Sequence, residues 1–388
     1  MKIAIDATPV AHGRRAIRRH TKNLIETLLR LDTTNNYQLL YIDWRKQRSR
    51  YVSHASTPRI KECIAPIPGR FLQLSWQYLS LPKSKWFVGS FDIFYATNLY
   101  FPPTNSGIVL GSIRGIAYHV IEDKLDPNEM ESLKRGLEYT LKHADYLLAV
   151  SYKTREELTE RLKIPSDRIY VVRHGIDSRF KRFENRKDLS TRLEKRFGFT
   201  FPYILFVGVI GYHKNIMNLL KAYGILADRG VKLPLVLAGP PGTACKEAQT
   251  WIAQRGFQKD IHFLGLIDQD GGELTDLYNG ASLFVFPSFY EGWSAPPLEA
   301  MACGTPVITS NCSSLPETVE DAAIKTDPNN PEELAQQMSR VLTDQSLRED
   351  LIERGVKHAA IHTWENTAIK LIEAFSDIKS RGPWRGPR

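Results

Sequence analysis

No stretch of the 388 residues approaches the roughly 18–20 consecutive apolar residues that a membrane-spanning helix needs. The opening MKIAIDATPV has no long apolar run and no small-residue cleavage site, so it is expected to be a buried strand and not a signal peptide. Cysteine is scarce. Cys63, Cys245, Cys303 and Cys312 are scattered without a CxxC pair, which speaks against a structural zinc and for a reduced, cytoplasmic setting. No repeat of solenoid period and no low-complexity tract is present. Acidic residues run short in the first half only. Residues 1–188 hold 32 Lys+Arg against 20 Asp+Glu, a net of +12, and the remainder hold 20 against 23, a net of −3. That asymmetry fits an anionic partner for the first half, such as a phospholipid surface, a lipid phosphate or a nucleic acid, or else a solvated basic face.

What is present is a rhythm. Short apolar runs alternate with helix-patterned stretches, the pattern of α/β architecture with parallel sheets. Expected strands in the first half are Lys2–Asp6, Leu39–Asp43, Ile93–Ala96, Ile108–Ile113, Tyr146–Val150 and Ile169–Val172. The second half restarts with Tyr203–Val207, Leu233–Ala238, Ile261–Phe263, Leu283–Phe286, Pro306–Thr309 and Ala323–Lys325. Ser178–Thr200 is charge-dense and poor in strand formers, as a linker would be. The expected organisation is therefore two Rossmann-like, doubly wound domains, 1–185 and 186–363, facing across a cleft. A helix follows over 364–379, and the Gly/Pro/Arg-rich tail 380–388 is expected to be disordered.

One segment carries chemistry. A buried strand ends at Phe286, a loop with Glu291 and Gly292 follows, and a helix starts near Pro296, where proline suits a first turn. Such a strand–loop–helix unit offers backbone N–H groups and a positive dipole end to an anion. Glu291 and Glu299, eight residues apart, can accept hydrogen bonds from sugar hydroxyls. Glu299 taken alone is also explained by the preference of acidic residues for helix N-termini.

The string FYEGWSAPPLEAMACGTPVITS resembles the Glu-x7-Glu signature of the retaining glycosyltransferases of family 4. The likeness continues through SSLPETVEDAA, YILFVG with His213-Lys214-Asn215, LAGPPG, IHFLGLID and VVRHGID, over roughly residues 1–375. It implies a GT-B fold, with a nucleotide-sugar donor on the second domain and a glycan or lipid-linked acceptor on the first. It implies that Glu299 contacts the ribose, Glu291 the donor sugar or its phosphate, and Lys214 the diphosphate. The backbone of Gly265, Leu266 and Ile267 would hold the base. Gly208, His213, Gly292, Trp293, Ser294 and Ala295 complete the implied donor site. No metal or other cofactor is expected, and no stacking motif supports a nucleic-acid partner. The helix from Trp364 onward would return to the first domain.

The first half departs from the family pattern. A glycine-rich loop is usual near residue 16, where this chain has Arg14-Arg15-Ala16-Ile17-Arg18-Arg19. Ala16 and Arg18 stand where glycines would admit the donor diphosphate. Arg114 stands where the family has a histidine contacting the donor sugar, and becomes with Glu291 and Lys214 a candidate catalytic residue. His213 and Ser294 replace a usual arginine and glycine. Arg14, Arg15 and Arg19 are candidates for the acceptor side. Two readings follow: a hexosyltransferase in polysaccharide synthesis, with arginines replacing backbone N–H groups, or a GT-B module that binds a sugar nucleotide, glycan or partner enzyme without transfer. Phe71–Phe87 mixes aromatics with lysines. Phe71, Leu74, Tyr78 and Leu81 recur at helical spacing, which favours a core helix over one lying on an anionic membrane at its inner face.

Overall fold

The computed structural model describes residues 1–388 except 14, 46–50, 55–56, 122, 124–126, 186–187, 200, 269–271 and 387–388, and describes no side chain at 15, 16 or 127–129. The chain divides into two compact units. The first is Met1–Ile116, Pro127–Gly175 and Trp364–Arg388; the second is Ala117–Asp126 and Ile176–Thr363.

In the first unit β1 (Lys2–Asp6), β2 (Asn36–Ile42), β3 (Ile60–Ala65), β4 (Ile93–Ala96), β5 (Ile108–Ile113), β6 (Tyr146–Ala149) and β7 (Ile169–Val171) form one sheet in the order β3-β2-β1-β4-β5-β6-β7. Every pairing in it is parallel. The central strands β4, β5 and β6 are buried at every residue, as expected where helices cover both faces. Helices Arg15–Leu31 and Trp364–Arg381 share one core, Leu24, Ile25 and Leu28 joining Leu371, Phe375 and Ile378.

In the second unit β8 (Ile204–Val207), β9 (Leu235–Ala238), β10 (Ile261–Gly265), β11 (Leu283–Phe286), β12 (Val307–Ser310) and β13 (Ile324–Thr326) form a second parallel sheet, in the order β10-β9-β8-β11-β12-β13. Each sheet reverses its strand order once, between β1 and β4 and between β8 and β11. In open α/β sheets ligands bind beyond the carboxyl ends of the strands at that reversal.

Four expectations need correction. Ser178–Thr200 is not simply a linker: it contains the helix Leu189–Phe197, and Phe180, Leu189 and Leu193 are buried in the second unit's core, so the units change at Ile176 and not at 186. The tail is not free from Ser380. The last helix runs to Arg381, Tyr146 donates to the carbonyl of Gly382 at 3.0 Å, and the Trp384 ring stands edge-on to Tyr146. The arginine-rich segment is not a loop: Arg15–Leu31 is helical, in keeping with the good helix propensity of alanine and arginine and the lack of glycine there. The helix Gly69–Tyr78 turns Leu72 and Trp76 inward, leaving Phe71, Leu74 and Tyr78 in solvent. The strand β3 had no apolar run to announce it, because it is an edge strand with Lys61 and Glu62 exposed.

Candidate functional site

In the second unit the loops after β8 and β11 meet at the strand-order reversal. After β8 the chain makes a short 3-10 turn, Tyr212–Lys214. Asn215 then takes a left-handed conformation (φ 60°) and launches the helix Ile216–Asp228. Its side-chain Nδ2 donates to the carbonyl of Pro328 at 2.6 Å, which pins the turn. Asparagine tolerates that conformation better than most residues. The N–H of Phe289 donates to the carbonyl of His213 at 3.0 Å and ties the two loops together.

Lys214 Nζ lies 2.5 Å from Glu291 Oε1 and 4.9 Å from the centre of the Phe286 ring, with both charged side chains largely shielded. The ring face adds a cation–π attraction. Glu291 is held by its backbone: its N–H donates to Ser313 Oγ at 3.0 Å, and its carbonyl accepts from Ser313 and Ser314 at 2.6 and 2.8 Å. These two serines were not singled out in the sequence. Their part depends on a contact across more than twenty residues.

The helix begins at Ala295, with Pro296 and Pro297 next. Neither proline has an N–H, so the donors this helix end can offer an anion are the N–H groups of Ser294 and Ala295. That is a narrower anion site than a generic helix start. The Ser294 hydroxyl is buried and has no hydrogen-bond partner. Buried polar atoms are nearly always paired, so an orphan of this kind suits a ligand oxygen. Glu299 is only 2% exposed and accepts from Tyr278 Oη at 3.0 Å. Gly208 follows β8 and Gly239 follows β9. A Cβ on Gly239 would stand 1.8 Å from the Gly208 carbonyl oxygen, so glycine is required for this close approach. Gly265 ends β10 with φ 65°, leaving Leu266 exposed and Ile267 buried. The Trp293 ring lies 5.4 Å from that of His362.

The first unit has its own polar cluster at its reversal. Asp6 ends β1 and is buried. Its carboxylate accepts from the Thr8 N–H and from Asn98, both at 3.0 Å. Burial holds its carboxyl above the ordinary range, against those two bonds and the Arg114 charge. Arg114, the residue after β5, is half-buried and donates to Thr21 Oγ1 at 3.2 Å. Within reach of its charge the rings of His20, His174 and Trp364 pack edge-on or tilted against one another, His20 lying 5.6 Å from His174 and 5.8 Å from Trp364. Burial, then the charge of Arg114, pushes His174 down to about 3. Burial, then His174, Arg19 and Arg114, puts His20 well below its ordinary value. Both imidazoles are neutral near pH 7.

Of the residues singled out in the sequence, Glu291, Lys214, His213, Gly208, Gly292, Trp293, Ser294, Ala295, Glu299, Gly265, Leu266 and Ile267 all fall in the second unit. Arg114, Arg18 and Arg19 fall in the first, with Arg18 and Arg19 half-buried on the helix Arg15–Leu31. Arg14 and the side chains of Arg15 and Ala16 lie outside the described residues. Among the described residues no group of three or more His, Cys, Asp or Glu is placed to hold a metal, and no helix is long and apolar enough to cross a membrane.

A family model described as glycosyl transferases group 1 matches residues 191–358, and one described as glycosyltransferase family 4 matches residues 18–180. The chain is 31% identical over 286 residues to the O-antigen chain mannosyltransferase B of Escherichia coli, covering 73% of this chain and 74% of that one. Its fold is similar to that of a sucrose-phosphate synthase from Thermosynechococcus elongatus, with a TM-score of 0.74 at 18% identity over 98% of this chain and 100% of that one. It is also similar to that of Anabaena HepE, solved with UDP and glucose, with a TM-score of 0.69 at 15% identity over 97% and 100%. The chain belongs to the GT-B glycosyltransferases of family 4 type.

Proposed function

We propose that this glycosyltransferase moves a hexose from a nucleoside diphosphate sugar to a glycan or lipid-linked acceptor, with retention of anomeric configuration. The observation that carries the reading is the Lys214–Glu291 pair at the strand-order reversal, beside the N–H groups of Ser294 and Ala295 and the orphaned Ser294 hydroxyl. The name of the mannosyltransferase relative favours mannose as the hexose and a surface polysaccharide as the product.

In this reading the donor diphosphate takes Lys214 from Glu291, so the ammonium meets the charge that grows on the leaving group. Glu291, released, accepts from a hydroxyl of the sugar. Glu299, oriented by Tyr278, contacts the ribose. The bond between the anomeric carbon and the diphosphate oxygen breaks, and a bond to the acceptor oxygen forms on the same face. The acceptor proton passes to the departing diphosphate. Lys214, the helix-end N–H groups and the Ser294 hydroxyl carry the diphosphate charge, with no metal in the scheme. Placement supplies the rest of the rate.

Arg114 supports a second reading, in which the chain binds a sugar nucleotide without transfer. Its guanidinium is already bonded to Thr21 and faces Asp6, and an always-charged group cannot accept a hydrogen bond from a sugar. A thermal-shift screen against nucleoside diphosphate sugars, followed by NMR of the product made from the best binder, separates the readings. Stabilisation with an axial-to-axial or equatorial-to-equatorial product supports retaining transfer. Stabilisation without product supports the binding module, and no stabilisation by any of them sinks both.

A further inference from the structure

Trp293 stands between Gly292 and Ser294, in the loop that carries Glu291 and leads into the helix at Ala295. Ser294 is the residue before that helix, yet its hydroxyl makes no capping bond. The entry angle of the chain, which a cap would ordinarily fix, therefore falls to tertiary contacts. One of them is printed on the Trp293 ring. It is half-buried and packs at a tilt on the ring of His362, with 5.4 Å between centres, inside the range where aromatic pairs attract.

His362 is itself firmly mounted. It is 7% exposed. Its N–H donates to the carbonyl of Ala359 at 3.1 Å, and its own carbonyl accepts from the Ile176 N–H at 2.9 Å, so the backbone is held on both sides of the ring. Its Nε2 lies 3.3 Å from Nε2 of His358, which is four residues back, on the helix Gln345–Ala359. His358 Nε2 also lies 2.8 Å from the carbonyl of Thr318. A carbonyl only accepts, so His358 carries a proton on Nε2 and His362 presents an acceptor nitrogen to it. One N–H thus serves two acceptors and sets the rotation of both rings. The other nitrogen of His358, Nδ1, lies 3.9 Å from Glu320 Oε2.

Thr318 connects the pair to the other side of the donor loop. It lies on the short helix Leu315–Val319, and its N–H and hydroxyl both donate to the carbonyl of Ser314 at 2.8 Å. Ser314, with Ser313, holds the carbonyl of Glu291. His358 therefore grips the helix behind the serines, while His362 backs Trp293.

We propose that His358 and His362 form a clamp that positions the donor loop, with His362 keeping the Ser294 and Ala295 N–H groups and the Ser294 hydroxyl aimed at the diphosphate. The inference rests on the donor-site reading given above. Both histidines are positioning residues: they act through Trp293 and Thr318, and all four residues lie in the second unit.

The first arm of the test is hydrogen exchange of the full chain without ligand. His362→Ala should speed exchange at Gly292–Ala295 by roughly tenfold and leave the strands β8 and β9 as in wild type, whereas a general loosening of the core would speed all of them. The second arm is calorimetry and transfer kinetics with GDP-mannose and UDP-glucose. His362→Ala should raise the donor KM and lower kcat/KM by roughly tenfold, as a small misplacement of reacting groups does. In a Trp293→Ala background the same change should add about twofold at most, because the contact it acts through is already gone. His362→Gln keeps an acceptor for His358 without the ring; it should fall between wild type and His362→Ala, and it carries the test if His362→Ala does not fold. Unchanged exchange at Gly292–Ala295, acceleration spread evenly over the second sheet, or an undiminished loss in the Trp293→Ala background overturns the inference. Binding of neither sugar nucleotide by wild type would count against the donor-site reading instead, and the exchange result would then decide the clamp alone.

Discussion

The two units repeat one plan: a parallel sheet whose order reverses once, with a cation and a carboxylate beyond the strand ends at the reversal. They use it differently. In the second unit Lys214 and Glu291 contact each other directly, and Glu291 is positioned by two serine hydroxyls acting on its backbone. In the first unit Asp6 is satisfied by Thr8 and Asn98, Arg114 reaches Thr21, and two neutral imidazoles complete the cluster. The first arrangement is a pair that an arriving diphosphate can part. The second is a bonded network around one half-buried guanidinium. Topology therefore chooses where a polar site forms, and the loop sequences choose whether it is open to exchange.

The largest expected effect tests this contrast directly. Lys214→Ala should lower kcat/KM by roughly 10²–10³-fold, as loss of a group that meets transition-state charge does, and should weaken donor binding in calorimetry. Arg114→Ala should lower kcat by roughly tenfold, the scale of about 1.4 kcal/mol, and leave the donor Kd unchanged. If Arg114→Ala weakens donor binding as much as Lys214→Ala, the two clusters form one donor site and the contrast fails.

A smaller effect separates the units by pH. His174 has a folded pKa of about 3 against roughly 6.5 unfolded, so the unfolded chain binds the extra proton between those values. Stability from this group is therefore intact above about pH 6.5 and falls as pH drops towards 3, by up to ~1.4 kcal/mol per pH unit. His20 adds to the loss in the same direction. Thermal unfolding of His174→Phe across that window should show a flatter acid side than wild type; parallel curves would mean that the imidazole is not held neutral.

The smallest effect concerns Glu299. Tyr278→Phe should cost about 1–2 kcal/mol of stability in the second unit by leaving a buried carboxylate oxygen short of a donor. Donor binding should weaken with it, since Tyr278 orients the carboxylate that meets the ribose. Unchanged donor affinity would mean that Tyr278 serves stability alone.

Much of the architecture was legible because it is written locally. Apolar runs such as Ile93–Ala96, Ile108–Ile113 and Leu283–Phe286 are strands because nothing else buries a short continuous run so well. The loop from Glu291 to the helix at Ala295 was legible for the same reason, its punctuation being a strand end and two prolines. The edge strand β3 was not, since half of it faces water and its alternation is masked by Lys61 and Glu62. The helix inside Ser178–Thr200 was hidden by charge, although Leu189 and Leu193, four apart, gave its buried face.

By itself, then, the order of residues determined two α/β units, the family to which they belong and the segment that carries Glu291 and Glu299, because these depend on short-range periodicity and on contiguous strings. Only the tertiary structure decided that Lys214 meets Glu291, that Ser313 and Ser314 hold the latter's backbone, and that Tyr278 takes one oxygen of Glu299. It alone decided that Phe71, Leu74 and Tyr78 face water while Leu72 and Trp76 do not. Helical spacing says which residues share a face. Which face is covered depends on what distant parts of the chain bring against it, and that is settled only when the chain has folded.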